Sequence, residues 1–331
     1  MIATGAVAIG QGPSTTAGPK SVPAPSESAT LAKVRSSVAT LADGGRFLGT
    51  AVLIGPNGQF LAHRSALRGI GPDGIIATLS DGTKVRLFID ARDVPTQFVL
   101  LQARPWSGGV APVKTVVGTP APGTALVAIL GPNVFRAQVS PRERIGIDKG
   151  TSRMLPLTEL TFENTNGIVG GSALFTPTGE FFGYVTAVLT PGEALTSSAR
   201  NVGPANLVIG YSMAPDVTRR AVEGFLSPSK RPQVASVGVV CRDAAAPSGQ
   251  STGALVEAID PTSPAAKAGI MLGDVIVAIG GDPIKDQIGF AKKLYELKPG
   301  ETVEFRIRRG SGEVIVKVVL GLSPTTAGPG G

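Results

Sequence analysis

Through its first 215 residues, this chain is a succession of short apolar runs, each closed by a turn signal. That rhythm constrains the fold more than any other feature. Arg46–Ile54 runs straight into Gly55-Pro56-Asn57-Gly58, and Gln59–Ala62 follows at once. Pro-Asn-Gly supplies a preset φ, a side chain that bonds its own backbone, and a residue free to take positive φ. Gly74–Leu79 and Lys84–Ile89 flank an Asp81-Gly82 turn, and Phe98–Leu101 closes the set. A second set comprises Ala125–Leu130, Phe135–Val139, Ser172–Phe175, Phe181–Val188 and Leu207–Tyr211. Runs of this length at even spacing predict a sandwich or barrel of many short strands. The 44 glycines, 27 prolines and 5% aromatic content suit such a turn-dense chain.

Helical spacing enters at residue 215. Pro215 stands at a first helical position, and Val217, Ala221, Val222 and Phe225 fall on one face. Ser227-Pro228-Ser229-Lys230-Arg231-Pro232 breaks the pattern, so 216–233 reads as helix and linker. A further unit spans 234–321, with strands at Val237–Cys241, Ala254–Ile259, Val275–Ile279, Thr302–Arg308 and Val314–Leu320. Helical pieces interrupt it at Ser263–Ala268 and Lys285–Leu297. Residues 1–29 and 322–331 are rich in Gly, Pro, Ser and Thr with few charges, and read as flexible tails.

Several function classes are disfavoured. The formal charge of +7 arises without a Lys/Arg run or a basic stretch interleaved with aromatics, so a solvated surface is expected and no nucleic-acid partner. No apolar run reaches 18 residues, so no membrane span is expected. No Cys/His/Asp cluster has metal spacing, and no Gly-rich loop carries a Lys-Ser/Thr signature before a helix; no metal and no cofactor are expected. Cys241, the single cysteine, reads as a small core residue. Met1–Gly10 is apolar without a basic start, which fits the remnant of a secretory signal or a plain tail.

The 254–276 stretch, from Ala254-Leu-Val-Glu-Ala-Ile-Asp-Pro-Thr-Ser-Pro through Ala268-Gly269-Ile-Met-Leu-Gly273-Asp274-Val-Ile276, resembles the PDZ domain of HtrA/Deg-type serine proteases. So do Leu297-Lys-Pro-Gly-Glu301 and Val303–Gly310. Gly49-Thr50-Ala51-Val52-Leu53-Ile54 and Val208–Pro215 resemble the same family's protease part. The resemblance implies a mainly β chain: a trypsin-like double β-barrel over 30–215 (barrels at about 30–108 and 109–215) followed by a C-terminal PDZ domain over 234–321.

In the family's register each triad position is substituted. Ser65 takes the histidine position within Gly58–Leu67, and His63, the only histidine, falls two residues early. Gln97 replaces the aspartate before Phe98-Val99-Leu100-Leu101. In Thr165-Asn166-Gly167-Ile168-Val169-Gly170-Gly171 the serine position is Val169, and Gly167 remains as an oxyanion-like amide. Valine offers no lone pair, and glutamine carries no charge to stabilise an imidazolium. No catalytic residue is therefore expected. His63 reads as a turn histidine and Ser172 as a strand-start serine rather than displaced catalytic groups.

The resemblance implies a periplasmic or otherwise extracytoplasmic pseudoprotease that binds peptide or protein C-termini as scaffold, adaptor or chaperone-like component. The family's carboxylate loop aligns with Ser236-Val237-Gly238-Val239, with Val239–Cys241 as sheet edge, Val240 included. Ile288, Ala291 and Lys292 are expected on the facing helix, and the apolar lining predicts aliphatic C-termini. The family often trimerises through its N-terminal segment; here that segment has no aromatic anchors, and a homo-oligomer stays an open alternative. The rival readings are an active endopeptidase with a rebuilt site and a structural subunit of a larger assembly.

Overall fold

The computed structural model describes residues 27–67, 74–148, 153–163, 170–189, 207–245 and 251–323. Strands β1 (Val38–Asp43), β2 (Arg46–Gly55), β3 (Gln59–His63), β4 (Ile75–Thr78), β5 (Lys84–Asp93) and β6 (Phe98–Ala103) close into one antiparallel barrel in the order β1-β2-β3-β6-β5-β4. Strands β7 (Ala125–Leu130), β8 (Asn133–Ile147), β9 (Met154–Glu163), β10 (Ala173–Phe175), β11 (Phe181–Leu189) and β12 (Leu207–Met213) close a second barrel, β10-β11-β12-β9-β8-β7. Renumbered within its own half, the second barrel repeats the strand order of the first. Closure leaves neither barrel an unpaired edge.

Each barrel holds its own apolar interior. Leu41, Leu53, Phe60, Leu87 and Leu101 fill the first, and Leu126, Leu160, Phe162, Phe182 and Val185 fill the second. Val52, Leu61, Phe98 and Leu100 of the first barrel meet Val127, Phe175, Phe181 and Tyr184 of the second in a further shared cluster. Tyr184 crosses that seam, and its hydroxyl donates to the Leu61 carbonyl at 2.6 Å. A short helix, α1 (Glu27–Val34), lies against the turn after β10, with Thr30 bonded to the Pro177 carbonyl. It takes residues 27–29 out of the predicted tail, because Val34 has a buried apolar site to fill.

Helix α2 (Pro215–Leu226) has proline in its first turn and inserts Val217, Ala221, Val222 and Phe225 into the shared cluster. The C-terminal unit follows: β13 (Ala235–Ser236), β14 (Val239–Ala245), β15 (Ser251–Ile259), α3 (Pro264–Lys267), β16 (Val275–Ile279), β17 (Asp282–Pro283), α4 (Gln287–Glu296), β18 (Thr302–Arg309), β19 (Gly312–Val319) and β20 (Gly321–Leu322). Its main sheet runs β14-β15-β16-β18-β19, with β17 beside β16. Ser263 caps α3 by accepting from the Ala266 amide. Arg309 grips buried Asp274 through two 2.7 Å bonds, which holds the turn into β16. The expected strand at Val237 is divided: Val237 and Gly238 form a break between β13 and β14, with Gly238 at φ 74.

The C-terminal unit sits on the barrels through α4. A register shift in β8 between Val139 and Glu143 re-aims the outer half of the β8–β9 hairpin. The bulge is anchored by buried Glu159, which accepts from Ser140 (2.8 Å) and Tyr211 (3.1 Å). Met154 and Ile145 of this hairpin pack into the core of the C-terminal unit.

Candidate functional site

Two places deserve a site's scrutiny: the seam between the barrels and the groove beside α4. At the seam, β3 ends at His63 and the chain turns through Arg64–Leu67, leaving Ser65 exposed. The Arg64 amide donates to the Gln97 carbonyl at 2.8 Å, so the segments carrying Ser65 and Gln97 lie side by side. Gln97 has φ 61, an uncommon conformation for a residue other than glycine. Gly171, across the seam, has φ 81, and a side chain there would meet Ser65 Oγ at 3.0 Å. The expected positions 65 and 97 are thus adjacent, and the glycine pair passes beside Ser65. Gly167 and Val169 lie outside the described residues.

The chemistry at this seam is meagre. Ser65 Oγ is 2.8 Å from His63 Nδ1, a pairing the sequence reading did not foresee. Yet His63 is buried, and its Nε2 has no partner among the described residues. Burial, helped by the charge of Arg64, pushes its pKa down to about 4. A base that weak, with no acid to orient its far nitrogen, lacks the support a Ser–His pair needs. The buried carboxylate closest in sequence to Gln97 is Asp93, and it turns elsewhere: it accepts from Thr96 (2.6 Å) and Arg153 (3.2 Å). Ser172 is fully buried, and its hydroxyl has no partner among the described residues. Cys241 is buried, and desolvation raises its thiol pKa to about 12.

The groove is better built. A cavity of about 460 Å³ lies between β14 and α4. Ser236, Val237, Gly238, Val239 and Val240 line one side, with Phe290, Ala291, Leu294 and Tyr295 on the helix side. β14 ends the sheet, so its outer edge is unpaired among the described residues. Gly238 lets the loop press against Ser263, where a side chain would come within 2.3 Å of Cβ. At the far end Asp243 holds the Gln287 amide at 2.9 Å, fixing the start of α4 to β14. Of the helix residues expected from sequence, Ala291 lines the cavity, but Ile288 and Lys292 do not. Lys292 faces the barrels and pairs with Glu143, because α4 is docked on the β8–β9 hairpin.

That hairpin also closes the groove from outside the unit. Arg153 and Met154 join its lining. Arg153 is buried, donates to the Tyr295 hydroxyl at 3.0 Å and pairs with Asp93. The Tyr295 hydroxyl in turn donates to the Met154 carbonyl at 3.2 Å, and burial raises the phenol's pKa, keeping it a neutral donor. Arg220 of α2 binds the carbonyls of Tyr295, Glu296 and Leu297 at the end of α4. The sequence reading missed Arg153, Tyr295 and Arg220 as groove and docking residues; only Tyr295 carried a signal, as one of two aromatics, with Phe290, on a short helix.

Comparison with known proteins fits this architecture. The model of the PDZ domain matches residues 235–320. A probable periplasmic serine endoprotease, DegP-like, of Rhizobium meliloti is 33% identical over 47% of this chain and 30% of its own length. The match therefore spans about a third of that relative. The serine endoprotease DegS of Escherichia coli K12 is 22% identical over 85% of this chain and 78% of its own. Among solved structures, an HtrA-type protease AlgW with tripeptide superposes with a TM-score of 0.64, at 18% identity, covering 92% of this chain and 99% of that one. The fold is a trypsin-like double β-barrel followed by a C-terminal PDZ domain. The chain is thus similar to HtrA-type, PDZ-containing serine proteases.

Proposed function

We propose that this HtrA-family, protease-like chain is a pseudoprotease that binds peptide or protein C-termini in its PDZ groove, as a scaffold, adaptor or chaperone-like component. The observation that carries the first half is the seam. Its hydroxyl, Ser65, pairs with a buried imidazole of depressed basicity, Gln97 stands where an acid is needed, and the sequence has valine at 169. Loss of such a unit in a serine protease costs about six orders of magnitude in rate. The second half rests on the free β14 edge, the tight loop at Val237–Gly238 and the apolar helix face of Phe290, Ala291 and Leu294. An extended peptide adds to such an edge as a strand and leaves its carboxylate at the loop amides. The aliphatic lining favours peptides ending in aliphatic residues. The name of the DegP-like relative places it in the periplasm, and the same compartment is proposed for this chain.

Two measurements test the reading. Full-length protein should leave casein and unfolded chains uncut, and Ser65→His with Gln97→Asp and Val169→Ser should recover little activity, because a triad must be held to about half an ångström. Turnover that vanishes on changing Ser172 or His63 would instead favour a rebuilt enzyme. In calorimetry against a library of C-terminal peptides, binders should weaken on C-terminal amidation. Absence of any binder would leave a structural subunit as the better reading.

A further inference from the structure

The opposite edge of the PDZ sheet is also free. β19 is the last strand in the sheet order and pairs with β18 alone among the described strands. Ile315 and Val319 are 59% and 60% exposed there, and Val314 is 38% exposed. Edge strands are usually guarded by charge or proline, since their unpaired amides invite another strand. Here the exposed segment is Glu313-Val314-Ile315-Val316-Lys317: an acid, three β-branched residues, a base.

We propose that this edge pairs with the same edge of a second copy of the chain, antiparallel, about a two-fold axis at Ile315. Read in that direction the segment complements itself. Glu313 faces Lys317 of the second copy, Val314 faces Val316, and Ile315 faces Ile315.

The hydrogen bonding of β18 and β19 selects the same residues. A two-residue turn, Gly310-Ser311, joins Arg309 to Gly312, which makes that pair the hydrogen-bonded closing pair of the hairpin. Bonded and non-bonded pairs alternate along antiparallel strands. Val314 and Val316 therefore spend their amides and carbonyls on Ile307 and Phe305, and Glu313, Ile315 and Lys317 turn theirs outward. These three are the residues that the two-fold register bonds across the new edge. Sliding the copy by two residues sets Glu313 against Ile315 or Val319 instead. Sliding further sets Glu313 against Glu313, or Lys317 against Lys317. Only the register centred on Ile315 satisfies bonds and charges together.

Among the described residues of its own chain Lys317 pairs with Glu304 alone, at 3.7 Å with both side chains largely exposed. Such a contact is readily exchanged. A pairing of five residues buries far less than the roughly 800 Å² per partner of a stable complex, so the dimer is weak and forms at high concentration. β14, where a peptide would add, lies at the other edge of the sheet and stays open. The inference thus stands or falls independently of the peptide-binding reading.

Sedimentation velocity of the full chain across a concentration series, with peptide binding measured in parallel, tests it. The wild type should self-associate. Glu313→Lys should raise the dimer dissociation constant about tenfold or more, since two attractive cross-strand pairs become repulsive. Lys317→Glu should do the same. Glu313→Lys with Lys317→Glu should restore association. The side chains are exposed, and unchanged circular dichroism would confirm folding of each variant. A wild type that stays monomeric throughout, or association that ignores all three variants, overturns the proposal. Equal weakening by the double and single changes does so too.

Discussion

Removing the carboxylate of Asp93 should destabilise this protein more than any substitution at its triad positions. Asp93 lies at the end of β5 in the first barrel, Arg153 at the root of β9 in the second, and Tyr295 on α4 of the PDZ domain. Side-chain exposure is 4% for Arg153 and 3% for Asp93, so water cannot take over for a missing partner. Asp93→Ala takes the 3.2 Å carboxylate from a buried guanidinium and also removes the 2.6 Å acceptor of Thr96. Breaking one side of a buried pair typically costs about 3–5 kcal/mol. In a protein of 331 residues that corresponds to a fall in Tm of roughly 4–7 °C. Urea unfolding and differential calorimetry of the full chain would measure it, and the PDZ domain should separate into its own transition as its docking weakens. Asp93→Leu with Arg153→Met removes both charges and should recover most of the loss. A cost below about 1 kcal/mol for Asp93→Ala would refute the argument, as would a double variant no better than the single.

Three further outcomes follow from the same geometry. His63 is neutral in the fold, so its contribution is complete above the ordinary pKa of 6.5 and is lost as pH falls towards about 4. Stability relative to His63→Gln should therefore drop by about 3 kcal/mol between pH 7 and pH 4, and a flat difference in urea midpoints would contradict the burial argument; no other histidine confuses the measurement. Cys241, with its thiol pushed up to about 12 by burial and then by Glu257, should react with a disulfide reagent only at the rate of global opening; rapid labelling of native protein would count against it. Gly238→Val should cost about 2–4 kcal/mol of PDZ stability, through positive φ and a clash with Ser263, so loss of peptide binding in that variant with unchanged stability would show the loop to be less constrained than it looks.

Much of the barrel scaffold was legible because its strands obey simple alternation and its turns need glycine or proline. The strands that escaped are instructive. β9 carries Pro156, Thr158 and Glu159 in its length, and a buried glutamate breaks any apolar pattern. It is tolerated because Ser140 and Tyr211, distant in sequence, satisfy it. β1 alternates Ala39 and Leu41 inward, too short a signal to stand out beside a predicted tail. The groove loop was readable from Gly238, whereas the helix face was not. The face α4 presents to the groove depends on the hairpin it docks against, and the aim of that hairpin depends on a bulge in β8. Arg153 sits 60 residues from Asp93 and 142 from Tyr295, separations at which local pattern carries no information.

On the proposed pseudoprotease reading, the seam accounts for how a triad is lost while its frame persists. Ser65 and Gln97 are held together by a backbone bond, Arg64 amide to Gln97 carbonyl. Gly171 is held by its own amide on the Val185 carbonyl at 2.7 Å. Tyr184 pins the barrels through the Leu61 carbonyl. None of these bonds passes through a triad side chain. Exchange of the side chains at positions 65 and 97 therefore leaves these three bonds of the frame in place. The ion pair of Asp93 and Arg153 is the opposite case. Each partner is buried, Arg153 also reaches the PDZ domain through Tyr295, and loss of either is felt as stability before it is felt as function. A chain released from hydrolysis but still required to hold its PDZ groove against the barrels would keep the second set of residues and be free to drift in the first.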